Sequence, residues 1–170
     1  IPILPNPYGK GIRVWAGDIN SDGLNDIVYS DCDVQFSKVY LLINENGGER
    51  WKKEEILLPA GNVDNSGSFH SLQVTDFDND GDPDLFVGFK LGIPNRLYRN
   101  DGGVFTEIAG IFNIADTMET RAAAWCDYNR DGFLDLYVGF TRPYTTGNRL
   151  YRNVGGSLSE MPDWTSDVES

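Results

Sequence analysis

At 170 residues the chain is long enough for one domain with its own core. Hydrophobic residues make up 40% and aromatics 12%, and 19 Gly with 8 Pro suit a turn-rich β protein. The 26 acidic against 14 basic side chains give a formal charge of −12, which argues against nucleic acid as a partner because phosphate binding needs a basic face.

Along the chain, one pattern recurs three times. The first unit reads as a strand at 12–16, an acidic loop DINSDGLND at 18–26, and strands at 26–30, 38–44 and 51–58. The second has a strand at 71–75, the loop DFDNDGDPD at 76–84, and strands at 84–89, 95–100 and 104–108. The third has a strand at 121–126, the loop DYNRDGFLD at 127–135, and strands at 135–140, 148–153 and 157–161. The segments after the loops (IVYS, LFVGF, LYVGF) are β-branched and aromatic, hence strand-like. NRLYRNDGGVFTE at 95–107 matches NRLYRNVGGSLSE at 148–160. The units cover roughly 11–60, 69–110 and 120–162, and 163–170 reads as the start of a linker to a further blade. Four short antiparallel strands per unit make a propeller blade. The expected fold class is therefore all-β, with three four-stranded antiparallel blades in a single propeller segment over 1–170.

The loops carry the chemistry. Ca²⁺ is a hard cation that takes six to eight oxygen ligands, and a short loop supplies them when alternate side chains turn inward. Position 1 is Asp18, Asp76 or Asp127; position 3 is Asn20, Asp78 or Asn129; position 5 is Asp22, Asp80 or Asp131. Gly23, Gly81 and Gly132 follow at position 6, where the chain must bend and a side chain would clash. Position 7 is Leu24, Asp82 or Phe133, a variation expected if only the carbonyl binds, and Asp26, Asp84 or Asp135 closes the loop at position 9. Three bound Ca²⁺ ions would halve the net charge, so the acidity is largely metal chemistry. A metal-free Asp/Asn/Gly turn is the plain alternative for one loop. Three loops in register, with so many like charges in close range, favour the metal.

The nearest rival is the EF-hand, which shares D-x-[DN]-x-[DN]-G but needs a Glu at position 12 and flanking helices. Position 12 here is Tyr29, Val87 or Val138, and the flanks are strands. The wide spacing of the loops also excludes a dockerin-like helical pair.

The loops together with the VGF and NRLYRN-x-GG segments resemble the FG-GAP/VCBS repeats, over nearly the whole chain from about 11 to 161. The resemblance implies a calcium-bearing β-propeller of the kind found in the head of integrin α subunits. It also implies Ca²⁺ at three sites, with ligands at positions 1, 3, 5, 7 and 9. Unit 1 departs in texture, since VYLLINENGGERWKKEEILL replaces the compact NRLYRN-x-GG segment. Such propellers usually close with about seven blades, so three units imply a piece of a longer array or assembly with other chains. The chain begins at Ile1 without Met, which reads as a removed leader or an excerpt.

Other residues invite weaker readings. His70 has no partner nucleophile or metal motif in sequence and reads as structural. Arg96, Arg99, Arg149 and Arg152 recur in NRLYRN and read as capping the sheet or pairing with acids rather than as a ligand-binding set. Trp15 and Trp125 read as core, whereas Trp51 and Trp164 stay open to a sugar-stacking role. Glu107, Glu119 and Glu160 are expected at exposed strand ends or linkers, and no catalytic residue is assigned. Cys32 and Cys126 read as free and buried. The chain has no apolar run of transmembrane length, so membrane insertion is not expected.

The function expected is an extracellular or cell-surface, calcium-stabilised binding or adhesion module without enzymatic activity, because millimolar external Ca²⁺ keeps weak sites filled. Its ligand would be a protein or a carbohydrate, and further blades would come from the same longer chain or from other subunits. The alternatives are a propeller segment of a secreted polysaccharide-active enzyme or lectin, or a structural subunit of a surface assembly.

Overall fold

The computed structural model describes residues 13–32, 37–56, 69–89, 92–141 and 147–161. The expected linker at 163–170, Trp164 and the Cys32 side chain fall outside the described residues. Among the described residues, twelve strands form three four-stranded antiparallel sheets in simple up-and-down order. Blade 1 holds β1 (Val14–Gly17), β2 (Asp26–Cys32), β3 (Ser37–Asn44) and β4 (Trp51–Ile56). Blade 2 holds β5 (Phe69–Thr75), β6 (Asp84–Phe89), β7 (Arg96–Asp101) and β8 (Val104–Glu107). Blade 3 holds β9 (Thr120–Cys126), β10 (Asp135–Phe140), β11 (Arg149–Val154) and β12 (Ser157–Glu160). Each acidic loop joins the first strand of its blade to the second.

The blades pack face to face, and the period of two along a strand decides what each face meets. In β6, Leu85, Val87 and Phe89 point to blade 1, in a cluster with Ile19, Val28 and Leu41. Phe86 points the other way and meets Leu136, Val138 and Tyr151 of blade 3. Every residue of β6 is buried, which is why LFVGF reads as a continuous apolar run rather than an alternating one. Burying such side chains contributes about 1.5–3 kcal/mol each. β9 lies against β5 and β6, so the first strands gather toward one side. The approach there is close: a Cβ added at Gly88 of β6 would lie 2.5 Å from Thr120 Cγ2 of β9.

The segment between blades 2 and 3 is clamped from both. Gly92 N and Asn95 N donate to the carbonyls of Thr117 and Asp116. Arg149 pairs with the Asp116 carboxylate at 2.6 Å, and Tyr151 donates its hydroxyl to it at 2.7 Å.

Cys126 corrects the sequence reading. It is free but exposed rather than buried. The alternation of β9 places Ala123 and Trp125 against blade 2, and Ala122, Ala124 and Cys126 on the opposite face, where no described blade packs.

Candidate metal centre

The three loops share one hydrogen-bond scheme. The position-1 carboxylate accepts from the backbone N–H groups of positions 5 and 6. For Asp18 these are Asp22 and Gly23, at 3.1 and 2.8 Å; for Asp76, Asp80 and Gly81, at 3.1 and 3.0 Å; for Asp127, Asp131 and Gly132, at 3.1 and 3.0 Å. The Oδ1 atoms of Asn20, Asp78 and Asn129 also accept from the position-5 N–H. Those of Asp22, Asp80 and Asp131 accept from the N–H of Leu24, Asp82 and Phe133. Short Asx turns thus wind each loop, with the side chains of positions 1, 3 and 5 accepting from the loop's own backbone N–H groups.

Two positions per loop adopt left-handed backbone. One is the glycine at position 6, with φ of 85° at Gly23, 99° at Gly81 and 91° at Gly132. The other is position 4, with φ of 59° at Ser21, 62° at Asn79 and 62° at Arg130. The glycine requirement is therefore conformational. A Cβ at any of the three glycines would meet nothing within 4 Å, so the clash expected from sequence is absent and the positive φ is the reason for glycine.

Position 9 does more than close the loop. Asp26, Asp84 and Asp135 are buried, and each spends both oxygens on backbone N–H groups. Asp26 accepts from Ile19 and Asn44, at 3.1 and 2.7 Å. Asp84 accepts from Phe77 and Asn100, at 3.0 and 2.9 Å, and Asp135 from Tyr128 and Asn153, at 3.2 and 2.7 Å. The carboxylate buckles its own loop to the third strand of the blade.

In loop 2 the oxygens of Asp76, Asp78 and Asp84 lie within 4.8 Å of one another. Asp80 stands outside that set, and the Asp82 carboxylate turns away to Ser21 and Gly102. Loops 1 and 3 carry Asn at position 3, and the amides of Asn20 and Asn129 donate to Asp22 and Asp131 at 3.0 and 2.9 Å. Burial pushes the Asp78 carboxyl above its ordinary value, and the charges of Asp80 and Asp76 add to this. Burial likewise raises Asp26, with Asp22 and Asp18 adding. Burial pushes Asp84 up to about 7 against the opposing bonds from Asn100 and Phe77, with Asp78 and Asp80 raising it further. An all-oxygen donor set of converging, mutually repelling carboxylates fits a hard divalent cation.

The shift at Asp84 fixes a pH dependence for the metal-free chain. Its folded value of about 7 lies above the ordinary 3.8, so between these the native state holds a proton that the unfolded state has lost. Stability from this group is full below the unfolded value and is lost as pH rises through about 7. Thermal melts in EDTA are expected to give a higher melting temperature at pH 5 than at pH 8; a rise with pH would contradict the assignment.

The remaining sequence candidates resolve individually. His70 Nδ1 lies 3.1 Å from the Thr120 carbonyl and 3.7 Å from Glu119, bridging blades 2 and 3. Burial, with the Arg121 charge, holds its imidazole below the usual value. Arg99 pairs with Asp101, Arg149 with Asp116 and Glu160, and Arg152 with Asp131. Glu119 lies in the segment that leads into β9, as expected, and is half-buried beside His70 and Arg121. Trp15 and Trp125 pack against the two cores as expected, and Trp125 stacks on Phe77. Trp51 is half-buried and donates to Gly48 O.

Sequence reasoning missed the buried asparagines near the ends of the third strands. Asn100 Nδ2 donates to Ile19 O of loop 1 at 2.7 Å and to Pro83 O at 2.9 Å. Asn153 Nδ2 donates to Phe77 O of loop 2 at 2.7 Å and to Leu134 O at 2.9 Å. The signal was present, as the last Asn of NRLYRN recurs in both copies and Asn44 holds the same place in unit 1.

A profile of the FG-GAP-like repeat matches residues 18–87 and 93–138, spans that contain all three loops. The chain belongs to the FG-GAP-like repeat family. Among its FG-GAP-like relatives, integrin alpha-7 of Mus musculus is 32% identical over 129 residues, covering 69% of this chain and 11% of that protein. Integrin alpha-7 of Rattus norvegicus is 30% identical over 129 residues, covering 69% of this chain and 11% of that protein. Cartilage acidic protein 1 of Homo sapiens is 26% identical over 145 residues, covering 79% of this chain and 20% of that protein. The chain thus spans between about a tenth and a fifth of these relatives' lengths. Beside FG-GAP loop 1, a cleft of about 480 Å³ opens between blades 1 and 2, lined by Asn20, Asp22, Glu45, Lys52 and Glu54 among others. No helix among the described residues is long and apolar enough to cross a membrane.

Proposed function

We propose that this chain is part of an extracellular or cell-surface β-propeller that binds three Ca²⁺ ions, one per acidic loop, and serves as a non-enzymatic binding or adhesion scaffold. The observation that carries the reading is the loop written three times, with one hydrogen-bond scheme in each copy and converging carboxylates at Asp76, Asp78 and Asp84. The ligands would be positions 1, 3, 5 and 9 by side chain and position 7 by carbonyl: Asp18, Asn20, Asp22, Leu24 and Asp26; Asp76, Asp78, Asp80, Asp82 and Asp84; Asp127, Asn129, Asp131, Phe133 and Asp135. The ion would supply positive charge that offsets part of each loop's negative charge. The chain's own residues hold the loop in its wound form and tie it to the second and third strands.

The adhesion reading leans on the likeness to integrin alpha-7. It implies a protein or glycan ligand on the loop-bearing surface, and further blades from the same longer chain or from other subunits to complete the ring. Calorimetric titration of the metal-stripped chain is expected to give three Ca²⁺ per chain. Absence of calcium uptake would remove the metal reading, and turnover of a polysaccharide would replace the scaffold with an enzyme.

A further inference from the structure

Hydrogen bonds join each acidic loop to the next. At the junction of blades 1 and 2, Ser21 Oγ donates to Asp82 Oδ1 at 2.6 Å, and Asp82 Oδ2 accepts from Gly102 N at 2.7 Å. Ser21 is position 4 of loop 1, between Asn20 and Asp22; Asp82 is position 7 of loop 2. At the junction of blades 2 and 3, Asn79 Nδ2 donates to Gly132 O at 3.0 Å. Asn79 is again position 4, and Gly132 lies between Asp131 and Phe133. The same direction holds at both junctions: position 4 of one loop reaches position 6 or 7 of the next.

A second link is buried. Asn100 donates its side chain to Ile19 O in loop 1 and its backbone N–H to Asp84 of loop 2. Asn153 does the same between Phe77 O of loop 2 and Asp135 of loop 3. The turn after β11 also sits on loop 2, where a Cβ on Gly156 would lie 2.8 Å from Asp78 Cβ. The middle loop therefore touches both neighbours through groups that alternate with, or are, its own position-1-to-9 set.

From this connectivity we propose that the calcium loops of adjacent blades are coupled. Filling one loop raises the affinity of the next, with Ser21, Asp82, Asn79, Asn100 and Asn153 as positioning residues. The inference rests on the calcium reading above. An ion that fixes loop 2 fixes Asp82 and Asn79, and with them Ser21 and Gly132. The neighbouring loop then has less freedom to lose on binding, which is positive cooperativity. Linkage makes the effect reciprocal between the two loops.

The test is a calcium titration of the whole chain by calorimetry, comparing the wild type with three variants. Ser21→Gly combined with Asn79→Gly removes both side-chain links at positions whose positive φ glycine accepts. Arg130→Gly makes the same backbone change in loop 3, where no such bond exists among the described residues, and controls for flexibility. Asp76→Asn disables loop 2. Coupling gives the wild type and Arg130→Gly a Hill coefficient above unity, and lowers it in the double variant, which keeps the buried Asn100 and Asn153 links and still takes up three ions. Asp76→Asn weakens the two remaining sites by about fivefold, the lower end of typical couplings. Three ions binding with unit steepness in the wild type, or equal steepness in the double variant and Arg130→Gly, would overturn the coupling and leave the calcium reading standing. No uptake by any form removes both. Circular dichroism at saturating calcium confirms that each variant is folded, and the Asp76→Asn affinities decide the matter independently if the double variant is not.

Discussion

Chelation with EDTA is expected to lower the melting temperature by about 15 °C or more, and re-added Ca²⁺ to restore it. A site with a Kd of about 10⁻⁵ M at about 1 mM Ca²⁺ gains roughly 2.7 kcal/mol by mass action. Three such sites contribute about 8 kcal/mol, comparable with the whole stability of an ordinary domain. In a chain of this size each kcal/mol moves the midpoint by about 2–4 °C. In loops 1 and 2 the metal-free carboxylates also carry a charge penalty. Burial chiefly, with neighbouring carboxylates adding, raises Asp26, Asp78 and Asp84, a cost that a divalent cation would offset. Differential scanning calorimetry with and without EDTA measures the effect, and an unchanged melt would sink the structural role of calcium.

The second large effect is expected at Asp84. Asp84→Ala would strip the acceptors from the N–H groups of Phe77 and Asn100. Two buried donors left unpaired cost about 1–3 kcal/mol each, so a loss of roughly 3 kcal/mol is expected even in EDTA. The buried carboxylate carries a desolvation penalty of its own, which tempers the figure and makes Asp84→Asn milder, since the amide keeps one acceptor. Asp80→Ala is the contrast. Asp80 is exposed and accepts one local bond from Asp82 N, so its loss should weaken only the calcium-dependent part of stability. Urea unfolding of the three variants, with and without calcium, separates the roles. Wild-type stability of Asp84→Ala in EDTA would reject the buckle.

Much of this was legible because the repeat writes the same physics three times. The strand bounds follow from β-branched and aromatic runs bracketed by turn residues, and the loops from Asp and Asn at alternate positions ending in Gly. Other features were illegible for definite reasons. Position 7 varies as Leu24, Asp82 and Phe133, which suggested that its side chain was idle; Asp82 is instead a bridge between blades. Position 4 varies as Ser21, Asn79 and Arg130, yet all three are left-handed, because residues other than glycine adopt that conformation when the surrounding turn dictates it. The exposure of Cys126 could not be read from an apolar strand whose second face lacks a described neighbour.

The amino-acid sequence alone determined the all-β repeat, its four-stranded unit and the oxygen-rich loop, since each depends on residues close together in the chain: alternation, turn chemistry and ligand spacing. Only the tertiary structure decided how one loop meets another. Asn100 finds Ile19 across 81 residues and Asn153 finds Phe77 across 76, and contacts at such separations depend on how blades dock, which local pattern does not encode. The same docking turns the position-9 aspartates from candidate ligands into buried buckles as well, because only a packed neighbour removes water from their carboxylates.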